Sequence, residues 1–143
     1  MRYMGLDYGD KTVGVAVSDE MGLTAQPLET ITRERWNKLR QTCQRIEEII
    51  KEKGVEVIVV GKPLNMNGTE GERLEQTRDF IEMIRRRTGL QVEEVDERLT
   101  TVEADRILDA SGVAKSGRKE YIDKMAAAII LQTYLDTMSH NQG

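Results

Sequence analysis

The chain has 143 residues, with 25 acidic and 21 basic side chains and a formal net charge of −4. This size and a hydrophobic share of 38% predict one domain with a core of its own, and the acidic balance excludes indiscriminate, strongly basic nucleic-acid binding. A single Cys and a single His exclude a disulfide framework and thiol–imidazole zinc sites. Any resident metal therefore needs oxygen ligands. The lone thiol points to a reducing, cytoplasmic setting, and no apolar run approaches the roughly 18 residues that span a bilayer.

The first thirty residues read as strands. Tyr3 to Tyr8 and Thr12 to Ser18 are short β-rich segments joined through Gly9-Asp10-Lys11, which predicts a hairpin. The stretch from Thr24 to Ile31 carries Pro27, whose missing N–H suits an edge strand. The period then changes: Trp36, Leu39, Cys43, Ile46 and Ile50 mark one face of a helix stopping at Gly54. Cys43 falls on that stripe and is read as a small buried hydrophobe.

Val55 to Gly61 is almost continuously apolar, as in a central strand covered on both faces. Thr69 and Glu72 form a capping-box pattern for a second helix with Leu74, Thr77, Ile81 and Ile84 inward, ending at Thr88-Gly89. Leu90 to Val95 is a more polar strand. A third helix is predicted from Thr100 to Ser111. The basic loop Lys115-Ser116-Gly117-Arg118-Lys119 should precede a last helix from about Glu120 to Met138. Residues 1–138 are thus expected to form a single domain and 139–143 a loose tail. The order βββαβαβαα predicts an α/β fold, a mixed five-stranded sheet flanked by helices in the ribonuclease H-like arrangement.

Three acidic positions stand out. Asp7 ends the first strand, facing a second strand whose one side is small, Thr12, Gly14, Ala16 and Ser18; ordinary turn chemistry is the bland explanation. Asp96 and Glu97 follow the fifth strand, at the edge where open α/β sheets bind ligands. Parity along the strand does not decide which of the two enters the groove. Asp123 lies in a helix apolar nearly all round, where a buried charge is costly; a bond to Lys119 one turn earlier is its bland alternative. Acids from three elements meeting at one end of a sheet would repel one another without cations. Mg²⁺ or Mn²⁺ suits such oxygen donors, and two ions ~3.5–4 Å apart can activate water and stabilise the leaving oxygen of a phosphodiester. The loop Gly61 to Gly68 lacks P-loop spacing, yet its amides and the following helix N-terminus suit phosphate.

Four stretches together resemble the YqgF/RuvX family, whose members are named as pre-16S ribosomal RNA nucleases and as Holliday junction resolvases. They are Gly5-Leu6-Asp7-Tyr8-Gly9 with Gly14 to Asp19, Val60 to Gly68, Asp96 to Thr101, and Asp123 to Gln132. The resemblance covers nearly the whole chain. It implies a ribonuclease H-like, metal-dependent nuclease with Asp7, Glu97 and Asp123 as catalytic and metal-ligating acids holding two Mg²⁺ or Mn²⁺ ions. Lys11, Lys62, Asn65, Arg98 and Thr101 are the candidate substrate contacts, and processing of pre-16S rRNA in ribosome biogenesis is the expected role. One departure is Lys11-Thr12, where the family usually has Lys-Arg.

The expected partner is nucleic acid, a ribosomal precursor or branched DNA, with the protein a monomer or a homodimer and no membrane contact. Two rivals differ in kind. Gly5 to Gly9 with Lys11 also resembles the first phosphate loop of actin and sugar-kinase ATP-binding proteins, but 143 residues supply only one of the two domains needed. A non-catalytic RNA-binding assembly module would have no need of acids facing phosphate.

Overall fold

The computed structural model describes residues 1–9, 11–35, 38–62, 72–96 and 115–142. Their elements are β1 (Arg2–Tyr8), β2 (Thr12–Ser18), β3 (Ala25–Thr32), α1 (Arg40–Lys53), β4 (Val55–Lys62), α2 (Glu72–Thr88), β5 (Gln91–Asp96) and α3 (Lys115–Gln142). The helix predicted from Thr100 to Ser111 lies outside the described residues, as do Trp36 and Thr69.

The strands form one mixed sheet in the order β3-β2-β1-β4-β5. β1 pairs antiparallel with β2 and parallel with β4, and β4 pairs parallel with β5. The three parallel strands therefore deliver their carboxyl ends to a single edge. Pro27 is on an edge strand, as its missing donor requires, and the β2–β3 register shifts where Ala16 meets Pro27, leaving Leu28 as the extra residue of a bulge. β4 lies inside the sheet and is buried along nearly its whole length.

Alternation along the strands builds two cores. Met4, Leu6, Tyr8, Val13 and Val15 face α1 and α2, meeting Cys43, Ile46, Ile49, Phe80, Ile81 and Ile84. Phe80 adds to the predicted α2 stripe by stacking on Tyr8 at a ring separation of 4.6 Å. Tyr3, Ala16, Val57 and Val59 face the other way, against Ala127, Ile130, Leu131 and Leu135 of α3. α1 ends as the sequence predicts, at a left-handed Gly54 whose N–H donates to the Ile50 carbonyl.

α3 differs from expectation at both ends. Lys115–Lys119, predicted as a loop, is helical, and so is 139–142, predicted as a loose tail. Lys and Arg are good helix formers, and an isolated Gly117 costs a helix only about 1 kcal/mol. Among the described residues no helix is long and apolar enough to cross a membrane.

Cys43 is fully buried with its Sγ 3.5 Å from Met83 Sδ, and burial pushes its thiol pKa up. Native protein should therefore leave Cys43 unmodified by a colourimetric thiol reagent over minutes, and denaturant should release one thiol per chain. Rapid labelling of the native state would contradict its place in the core.

Candidate functional site

The close docking of α3 decides the geometry at the carboxyl edge. A Cβ built at Gly14 would lie 1.9 Å from the Asp123 backbone oxygen, and one at Gly5 would lie 2.7 Å from the Ala127 oxygen and 2.8 Å from Leu131 Cβ. Asp123, Ala127 and Leu131 follow at intervals of four, so one row of the helix rests directly on the backbones of β1 and β2. Only glycine admits this approach. The small face of β2 legible in the sequence is thus a seat for the last helix.

The seat is clipped at its far end by Gln132. Its side-chain carbonyl accepts from the Ala25 N–H at 2.9 Å and its amide donates to the Leu23 carbonyl at 3.1 Å, which fixes α3 along the sheet. Ser18 and Asp19, part of the same sequence pattern, are structural: the Ser18 hydroxyl accepts from the buried Tyr3 N–H at 2.8 Å. The Asp19 carboxylate gathers the N–H groups of Met21, Leu23 and Thr24. These bonds, that from Thr24 foremost, hold its pKa below the ordinary carboxylate value.

At the near end, two of the three predicted acids are brought to neighbouring backbone positions. Asp7 is the register partner of Gly14, the residue on which Asp123 rests. Both carboxylates are half-buried. The Asp123 Oδ2 accepts a hydrogen bond of 2.7 Å from the Thr12 hydroxyl, a partner the sequence reading did not identify. The β1–β2 turn carrying this donor is itself fastened: Gly9 N–H donates to the Thr12 carbonyl at 2.8 Å, and Arg33 N–H to the Lys11 carbonyl at 2.8 Å. The Arg33 guanidinium also reaches the Gly9 carbonyl while lying 4.8 Å from the centre of the Tyr8 ring. Arg33 is buried and was not singled out in the sequence, because a basic residue after a strand looks like ordinary surface.

Lys11 is exposed in the β1–β2 turn, and Lys62 ends β4 opposite Asp96 of β5. On β5, Val95 packs into the α3-side core, and Glu93 on the same side adds to the burial that raises the Tyr134 pKa. Val92 belongs to the other core, so Asp96 shares the face away from Asp7. Glu97, Asn65, Arg98 and Thr101 lie outside the described residues. Among the described residues no group of three metal-ligating side chains gathers.

The chain matches the sequence model of a family described as RuvX, Holliday junction resolvase, over residues 1–137. It is 56% identical over 142 residues to a protein of Agathobacter rectalis named "Putative pre-16S rRNA nuclease", covering 99% of each chain. A protein of the same name from Symbiobacterium thermophilum is 54% identical over 136 residues, covering 95% of this chain and 92% of that one. Among solved structures, Thermus thermophilus RuvC in complex with a Holliday junction substrate has a TM-score of 0.62 at 15% identity, covering 97% of this chain and 96% of that chain. The fowlpox virus resolvase with Holliday junction DNA has a TM-score of 0.54 at 12% identity, covering 96% and 99%. At such identities the likeness establishes the ribonuclease H-like fold.

Proposed function

The chain belongs to the RuvX family, and on that premise we propose that it is a divalent-metal-dependent nuclease acting on pre-16S rRNA, with Asp7, Glu97 and Asp123 as its metal-holding acids. The observation that supports this most is that Asp7 pairs with Gly14 and the Asp123 backbone rests on Gly14, at the edge where β1, β4 and β5 deliver their carboxyl ends. Both acids offer oxygen donors alone, which is the chemistry Mg²⁺ and Mn²⁺ take. Two such ions supply Lewis acidity and charge neutralisation for in-line displacement at phosphorus.

The chain's own part is to hold these groups in advance. Asp7 is held by its pairing with Gly14, one residue past the end of the β4 ladder at Leu6, and Asp123 by the seating of α3, so little reorganisation is left for the moment of reaction. Since Asp96 shares Val92's face, Glu97 is the better choice for the third acid. Lys11, on the β2 side of Asp7, is the proposed contact for substrate phosphates; Lys62 alternates with Ile58 and Val60, so it shares Asp96's face and would meet phosphate only over the end of β4. Asn65, Arg98 and Thr101 complete the proposed substrate contacts.

The family description favours a second reading, cleavage of four-way DNA junctions, which requires two sites related by a two-fold axis. A cleavage panel separates the two: pre-16S leader RNA and a four-way junction, each with Mg²⁺, Mn²⁺ or EDTA, with the oligomeric state measured by light scattering. The RNA reading predicts metal-dependent cleavage of the leader and an intact junction. Metal-independent cleavage, or none of either substrate, would overturn the nuclease reading.

A further inference from the structure

A carboxylate on a helix is not fixed by the helix alone, because the terminal torsion of Asp is broad and the plane of its oxygens turns easily. In this protein one oxygen of Asp123 is already taken: Oδ2 accepts from the Thr12 hydroxyl at 2.7 Å. The length is that of a charge-assisted bond. The donor is as rigid as a side-chain hydroxyl becomes. Thr12 is β-branched, its carbonyl closes the hairpin turn, and its backbone pairs with Thr32 of β3.

The bond is not what docks the helix. α3 is seated on Gly5 and Gly14, buried through Ala127, Ile130 and Leu131, and clipped by Gln132 at the other end. Thr12 and Asp123 are both half-buried, so solvent can replace the hydroxyl at little cost to the fold. What solvent does not replace is the orientation. With Oδ2 held on the β2 side, Oδ1 is, among the described residues, the oxygen left for a ligand.

Resting on the reading of Asp7 and Asp123 as metal-holding acids, we infer that Thr12 is a positioning residue: its hydroxyl fixes the Asp123 carboxylate so that Oδ1 alone is presented to the divalent cation. Thr12 touches neither metal nor substrate in this role. It acts through Asp123, as the outer partners of metal-ligating carboxylates do. The position thus serves the acid on the last helix rather than the phosphate.

The test measures Mn²⁺ binding to the full chain by calorimetry without nucleic acid, alongside the Mn²⁺ concentration for half-maximal cleavage. Thr12→Val keeps the shape and removes the donor; Thr12→Ser keeps the donor. Outer-partner losses typically weaken metal affinity 10–100-fold, so Thr12→Val should weaken Mn²⁺ binding about 10-fold or more. Its half-maximal Mn²⁺ concentration should rise in proportion, with maximal rate recovered at saturating metal. Thr12→Ser should stay within about 3-fold of wild type, and Tm should move by no more than about 3 °C in either variant. Wild-type Mn²⁺ affinity in Thr12→Val, or equal weakening by Ser and Val, would overturn the assignment. Asp123→Asn serves as the reference: if it loses Mn²⁺ binding while Thr12→Val does not, only the role of Thr12 fails. If Asp123→Asn binds Mn²⁺ like wild type, the metal reading of the site fails and the role of Thr12 with it.

Discussion

Asp7→Asn is expected to lower metal-dependent cleavage by about three orders of magnitude while the protein remains folded. A Lewis-acid site contributes several kcal/mol of transition-state stabilisation, and ~4 kcal/mol corresponds to roughly 10³ in rate. Asn keeps the size and one carbonyl oxygen but removes the charge that would hold a cation against its repulsion by phosphate-neutralising partners. The half-burial of Asp7 at the open end of β1 makes the substitution tolerable to the cores, whose side chains on this strand are Met4, Leu6 and Tyr8 on one face and Tyr3 on the other. A thermal scan separates loss of site from loss of fold. Without metal, Tm should match wild type; at Mn²⁺ about 100 times its Kd, wild type should gain about 2.7 kcal/mol and the variant far less. Cleavage within tenfold of wild type by folded Asp7→Asn would remove Asp7 from the mechanism.

The second large effect falls on a residue with no side chain. Gly14→Ala would put a Cβ 1.9 Å from the Asp123 carbonyl oxygen, with the Lys124 nitrogen 3.0 Å away. Both neighbours are backbone, so no rotamer change relieves the clash. Overpacking ordinarily costs ~1–3 kcal/mol where side chains can shift. Here the last helix must lift, and a loss of about 3 kcal/mol or more is expected in urea denaturation. Gly54→Ala supplies the contrast. A Cβ there meets nothing within 4 Å, but the left-handed φ of 69° penalises alanine, so ~1–2 kcal/mol is lost with cleavage unchanged. If Gly14→Ala costs no more than Gly54→Ala, α3 is not seated on β2 as described.

What the sequence disclosed, and what it withheld, divides along contact distance. The hairpin, the edge position of Pro27, the buried β4 and the stop at Gly54 each rest on local chemistry, and each is present in the fold. The small face of Thr12, Gly14 and Ala16 was equally visible, but not what fills it. Its occupant, Asp123, lies 111 residues beyond Thr12. The anomaly of Asp123 in an apolar helix was legible in the same one-sided way: the local alternative, Lys119, has its side chain outside the described residues, while Thr12 is a partner 111 residues away. The start of α3 was missed because Gly117 among basic residues has the composition of a loop, whereas the helix runs through it.

The seating of α3 also sets a condition on time. Asp7 and Asp123 come from opposite ends of the chain, and β1 and β2 are made long before the helix that covers them. Contacts this remote in sequence form late and slowly compared with hairpins and single helices. Until the last helix docks, Gly5 and Gly14 face solvent and half of the acidic pair is absent. A growing chain that has not yet made α3, or one clipped before it, therefore lacks Asp123 and with it half of the proposed acid pair.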